Sequence, residues 1–352
     1  LGFTVTLTQR LLLLSWIVML TTPAIGDTDA EFTGLHSDVV FSNYSSLSRS
    51  AELQHRLLSP LNADQVSKRL AHSTVALREQ PIDLTHERFT VYVPPHPPTA
   101  GFGLLVFVPP WENAMLPRGW AEVLDRHGVI FVSAANSGNA ANVLDRREPL
   151  ALLAAHNIMQ RFRVDPERIY IGGFSGGSRV ALRLALGFPD VFRGAFLNAG
   201  SDPIGDAQAP LPPPELFSSF QEATRIVYIS GQDDAANVDK DAASTRSMLE
   251  WCVFDWYAER SRWADHEVAG SAVFGRALDM LEKHARPNWA RFSNCRLRIN
   301  QELAKQLDRA NDLLAAGNVD GARRLLNTID ARYGGLAAPR SIDLAARLDA
   351  MN

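Results

Sequence analysis

"RIYIGGFSGGSRVALRLAL", residues 168–186, runs from a β-branched and aromatic stretch into four glycines grouped about one serine, then straight into strong helix formers. Glycine is costly inside regular structure and useful where φ turns positive or two backbones approach closely. Four glycines at a strand-to-helix junction predict a turn too tight for side chains, with Ser175 at its tip. Gly173-Phe174-Ser175-Gly176-Gly177 satisfies G-x-S-x-G in the context that gives the pattern physical meaning, a strand before it and a helix at once after it. There the serine Oγ stands above the carboxyl edge of a sheet. The Gly176 N–H, with the helix N-terminus behind it, points at any oxyanion forming beside Ser175. A phosphate loop would need G-x-x-x-x-G-K-[ST], and no lysine follows here. The spacing also fails the G-x-G-x-x-G dinucleotide pattern. A purely structural Gly/Ser turn is the remaining alternative.

From Glu87 onward, short β-type runs ("RFTVYV", "GLLVFV", "GVIFVSA", "RIYIGG", "FRGAFLNAG", "RIVYIS", "WCVFDWYA") alternate with helical patterns at 118–127, 150–162, 177–187 and 270–284. Near-continuous apolar strands at this spacing predict an α/β protein with a mostly parallel central sheet and helices on both faces. Four segments are expected: 1–26, 27–86 (polar, with helical patterns near 51–58 and 63–77), 87–287 as the sheet domain, and 288–352 as a helical extension.

A serine nucleophile needs a base, and the base a carboxylate to orient it. On this kind of sheet they follow in the order Ser, Asp/Glu, His, in loops after later strands. Gly231-Gln232-Asp233-Asp234 follows "TRIVYIS", and Ala264-Asp265-His266-Glu267 follows the expected last strand. Of nine histidines, His266 is the one in a loop between that strand and a helix. Asp234 is preferred as the acid and Asp233 held in reserve. A surface histidine capping a helix is the plainer reading of His266.

"VDPERIYIGGFSGGSRVALRLALGFPDVFRGAFLNAG" resembles the branch of α/β-hydrolases that contains polyhydroxybutyrate depolymerases, feruloyl esterases and prolyl-oligopeptidase-like enzymes. The resemblance covers about residues 87–281 and implies the α/β-hydrolase fold. It implies Ser175 as nucleophile, Asp234 in a G-x-x-D pattern with Gly231, and His266, although Asp265 stands where the family has glycine. The departure is larger at the first oxyanion loop, where the family carries His-Gly and this chain has Pro109-Pro110-Trp111-Glu112. Prolines have no N–H to offer, so the second donor beside Gly176 falls to Trp111. Losing one such donor costs about 3–4 kcal/mol of transition-state stabilisation.

The substrate is less legible. The stretch 201–223 is short and Pro-rich, too small for a helical lid, which favours an open site for a small-molecule or polymeric acyl ester. The amide-rich loop "SAANSGNAANVLDRREP" either lines the cleft, with Asn139 and Arg146 binding a polar or anionic group, or is a solvated loop of ordinary composition. Phe174 is a candidate substrate contact, and Trp111 and Trp263 are candidate aromatic walls, although as core or interface residues the two tryptophans would need no such role.

The 352 residues are 46% hydrophobic and 21% charged, with a formal charge of −4, which leaves no footprint for nucleic acid. Arg10, the apolar run from Leu11 to Leu20 and the small residues before Asp27 read as a secretory signal peptide, too short for a membrane span. The expectation is an exported protein, periplasmic or secreted, with no stable membrane span. Cys252 and Cys295 are then either one disulfide or two separate thiols. No metal-ligand spacing is evident, and neither metal nor organic cofactor is expected. In the extension, Leu303, Leu307, Ala310 and Leu314 share one helix face, and Ala322, Leu325, Leu326 and Ile329 another, with Gly317 and Asn318 between as caps. This tetratricopeptide-like hairpin is expected to pack on the sheet domain, with a protein partner as the alternative. Two rivals to the esterase remain: a serine peptidase sharing every residue, and a catalytically inactive binding protein.

Overall fold

The computed structural model describes residues 32–72, 78–283 and 289–351. The segment read as a signal peptide lies outside the described residues, as do residues 73–77 of the second N-terminal helical pattern. Eight strands form one sheet: β1 (Gly34–Val39), β2 (Phe89–Val93), β3 (Phe102–Val108), β4 (Val129–Ala134), β5 (Val164–Phe174), β6 (Gly194–Asn198), β7 (Arg225–Gly231) and β8 (Trp256–Ser261). Their order is β1-β2-β4-β3-β5-β6-β7-β8. The pairs β1/β2 and β2/β4 are antiparallel, and every pair from β4 to β8 is parallel. This is the α/β-hydrolase fold.

Strands β2, β3, β4 and β6 are buried at every position, the reason they read as unbroken apolar runs. Alternate residues feed two cores. Leu104, Val106 and Ile171 face one side, which α4 (Glu148–Arg161) and α5 (Gly176–Gly187) cover. Leu105, Phe107 and Tyr170 face the other, covered by α3 (Ala121–His127) and α8 (Ser271–Leu281). There the Trp120 and Phe274 rings stack with centroids 3.7 Å apart, and Trp120 Nε1 donates to the Ala269 carbonyl at 2.8 Å.

Two local expectations are corrected. Strand β1 falls in the segment read as polar and helical; as an edge strand half open to solvent it takes its order from pairing with β2 and carries no apolar run. "WCVF", read as the start of the last strand, is not extended. It closes α7 (Ala235–Glu250), with the Val253 N–H bonded to the Met248 carbonyl at 2.8 Å and Cys252 at φ 63°. Cys252 is joined to Cys295 in a disulfide that closes a 43-residue separation.

The remaining helices are α1 (Ser50–Leu57), α2 (Pro60–Ala71), α6 (Pro214–Ala223), α9 (Trp289–Ala315), α10 (Val319–Tyr333) and α11 (Arg340–Asp349). Gly317 sits at φ 76°, and Asn318 Oδ1 accepts from the Gly321 N–H at 2.9 Å to cap α10. Leu303, Leu307, Ala310 and Leu314 are buried, as are Ala322, Leu326 and Ile329, and Leu325 is partly so. Helices α10 and α11 pack on α2 from the other end of the chain. The join is polar at its centre: Ser59 Oγ and the Leu61 N–H, at the start of α2, both donate to the buried Asp330 carboxylate of α10.

Candidate active site

β5 delivers Phe174 to the carboxyl edge of the sheet and α5 begins at Gly176, so Ser175 alone makes the turn. It does so at φ 54° and ψ −120°, a conformation that costs an L-residue strain. The turn closes because Gly173 and Gly177 lack Cβ atoms. One on Gly173 would lie 2.3 Å from the Gly177 carbonyl carbon, and one on Gly177 would lie 1.9 Å from the Val108 carbonyl oxygen. Ser178 Oγ, fully buried, donates to the carbonyls of Gly173 (2.7 Å) and Asn198 (2.8 Å) and so holds the turn to β6.

Asp234 caps the N-terminus of α7, immediately after β7. His266 lies in the loop between β8 and α8, which Asn198 holds by accepting from the Ala269 N–H at 2.7 Å. The three side chains meet. His266 Nδ1 is 2.7 Å from Asp234 Oδ2, and its Nε2 is 2.9 Å from Ser175 Oγ. With the Nδ1 proton donated to the carboxylate, the Nε2 lone pair faces the serine hydroxyl, an arrangement able to remove its proton. Asn237 Nδ2 also donates to Asp234 Oδ2, at 2.7 Å. Burial pushes the Asp234 carboxyl up, but hydrogen bonds from His266 and Asn237 outweigh it and hold the group below the usual aspartate range. Asp233, the reserve, is exposed, whereas Asp234 is buried.

The turn at residues 109–111 lies across the start of α5, where the missing Gly177 Cβ would also come 3.3 Å from the Pro109 carbonyl carbon. Among the described residues neither the Trp111 nor the Gly176 backbone N–H is hydrogen-bonded. The Trp111 ring packs between Phe107 and Phe174, at centroid distances of 6.5 and 6.0 Å. Phe174 in turn stands 5.0 Å from the His266 ring and is buried, so it backs the imidazole.

Asn139 lines the cleft, with Oδ1 placed where only a glycine at 176 leaves room. Arg146 does not line it. Its guanidinium makes two bonds to Glu87 (2.9 and 2.7 Å) and one to the Asn136 carbonyl (2.6 Å), which pins the loop to the segment just before β2. The neighbouring Arg147, only 4% exposed, reaches the site: it donates to the carbonyls of Ser137 (2.8 Å) and Pro109 (2.9 Å) and so fixes the turn at residues 109–111. Both arginines lie in a single π-helical turn, Val143–Arg147, whose Asn142 cap and irregular pitch a sequence does not announce. Asn198, Ser178 and Asn237 were likewise silent, although Asp234 itself is a favoured residue at a helix N-cap.

No family model matches this chain, and no curated protein matches it. Solved structures resemble it in part. S-formylglutathione hydrolase from Staphylococcus aureus aligns at 14% identity and TM-score 0.44, covering 56% of this chain and 93% of that one. A poly(3-hydroxybutyrate) depolymerase, LpqC of Bordetella parapertussis, aligns at 15% and 0.42, covering 59% and 88%. Dipeptidyl peptidase 4 of Porphyromonas gingivalis aligns at 15% and 0.40, covering 55% of this chain and 33% of that one. The sheet's own strand order and directions place this chain in the α/β-hydrolase fold, with Ser175, His266 and Asp234 hydrogen-bonded in series at its carboxyl edge.

Proposed function

We propose that the protein is an exported serine hydrolase that cleaves carboxylic esters through an acyl-enzyme. The observation that carries this reading is the unbroken series of bonds from Asp234 through His266 to Ser175. In the first half-reaction Ser175 Oγ attacks the ester carbonyl carbon while its proton passes to His266 Nε2. The Gly176 and Trp111 amides receive the oxyanion, and collapse expels the alcohol, which takes the proton from His266. In the second, water attacks the acyl-serine with His266 again as base, releasing the acid and restoring Ser175. Asp234 stays ionised throughout and holds the imidazole in its tautomer.

The pairing of Cys252 with Cys295 supports an oxidising compartment, as does the leader-like composition of residues 1–26. Among the described residues no helix is long and apolar enough to cross a membrane. Among the described residues α6 does not line the cleft, which supports an open site able to take an acyl ester. Labelling by a fluorophosphonate that disappears in Ser175→Ala, with turnover of short-chain esters and none of dipeptidyl anilides, is the expected result. Folded wild type that takes no label would end the hydrolase reading and leave a binding protein.

A further inference from the structure

The cleft beginning at Ser175 has a volume of about 600 Å³. Its floor is the outer face of α5, where Gly176, Arg179, Val180 and Arg183 recur at helical spacing. Four cations line it, Arg147, Arg179, Arg183 and Lys240, against the two carboxylates of Asp202 and Asp234.

Their partners sort them. Arg147 is committed to loop carbonyls. Arg183 donates to the buried Glu148 carboxylate and to the Gln208 carbonyl, each at 2.7 Å. Asp234 belongs to His266. There remain Arg179, Lys240 and Asp202. Arg179, 41% exposed, stands 3.6 Å from Asp202, beyond hydrogen-bonding distance. Lys240 makes no hydrogen bond or ion pair among the described residues and acts on Asp202 only through space. Burial pushes the Asp202 carboxyl up against the opposing pull of Arg179 and, more weakly, Lys240. Arg179, in a long ion pair with Asp202, and Lys240 thus line the same cleft.

Resting on the hydrolase reading above, we propose that Arg179 and Lys240 form a subsite for a carboxylate carried on the acyl part of the substrate. Arg179 lies four residues beyond Ser175, about 6 Å along the helix. Ser175, Arg179 and Lys240 line the same cleft, so half-esters of short dicarboxylic acids, with the ester at Ser175 and the free carboxylate toward the two cations, are the substrate class that fits.

The test compares kcat/KM for monoethyl glutarate and ethyl pentanoate, a charged and a neutral ester of equal length, by pH-stat titration. The charged-to-neutral ratio cancels any general loss of catalytic competence. It is expected to be on the order of tenfold, the scale of one charge-assisted hydrogen bond. It should collapse toward unity in about 0.5 M salt and fall severalfold in both Lys240→Gln and Arg179→Gln. Lys305→Gln, an exposed cation on α9, should leave it unchanged. Hydrolysis of ethyl pentanoate with a wild-type ratio at or below one overturns the subsite while leaving the hydrolase reading standing. A ratio unmoved by both subsite variants does the same. Turnover of neither ester removes both.

Discussion

Ser175 stands where glycine would be more comfortable, and that conflict can be measured. At φ 54° and ψ −120° its Cβ is crowded by its own backbone, a strain of about 1–3 kcal/mol for a residue other than glycine. Ser175→Gly removes the strain but returns about 0.4–1 kcal/mol through the greater freedom of the unfolded chain. It also deletes the bond to His266. Ser175→Ala deletes the same bond and keeps the strain, so it is the proper reference. The difference between the two variants is then about 1 kcal/mol in favour of glycine. With an unfolding entropy of about 2 cal/mol/K per residue, this corresponds to a rise of about 1–2 °C in Tm. Differential scanning calorimetry of the two Ser175 variants side by side reads it directly. A glycine variant that melts at or below the alanine variant would refute the claim that the turn is strained by its side chain.

The carboxylate of Asp234 makes a prediction with a sign. Its folded pKa lies below the ordinary aspartate value, so the stability it contributes is fully present above the unfolded pKa near 4 and is lost as pH falls through the lower folded value. The Tm advantage of wild type over Asp234→Asn should therefore shrink in that acid window, and a constant difference from pH 7 downward would contradict it. At neutral pH the same variant should lose about 10⁴-fold in kcat, whereas the exposed Asp233→Asn should retain turnover. The Cys252–Cys295 bond closes a 43-residue separation, worth about 4 kcal/mol of denatured-state entropy. Urea titration with and without reductant should show that loss, and coincident curves would assign the stability elsewhere.

What the sequence disclosed and what it withheld divide along a physical line. Gly173 and Gly177 were legible because a backbone-to-backbone approach admits no other residue. Ser175 and Asp234 were legible because each follows a strand, β5 or β7, whose apolar run is plain, whereas His266 was read from its place in the loop before α8. β1 was illegible because an edge strand borrows its order from β2. Arg146 and Arg147 were confused for a different reason: adjacent residues in a helix diverge by about 100°, and a π turn resets the phase. The structure sends Arg146 to Glu87 and Arg147 to the Pro109 turn. Asn198 and Ser178 act only through contacts between segments far apart in the chain, which no local pattern encodes.

The carboxylate of Asp330 sits 271 residues after Ser59, whose helix it receives. At a synthesis rate of about 5–20 residues per second, α2 leaves the ribosome roughly a quarter to a full minute before its acceptor exists. During that interval the first turn of α2 has only water for the Ser59 hydroxyl and the Leu61 N–H, and its apolar face has no α10 or α11 to cover it. The sheet can close in the meantime, since its strands end with β8. The two ends of the described chain must then find each other late, so the last helices made complete one of the first.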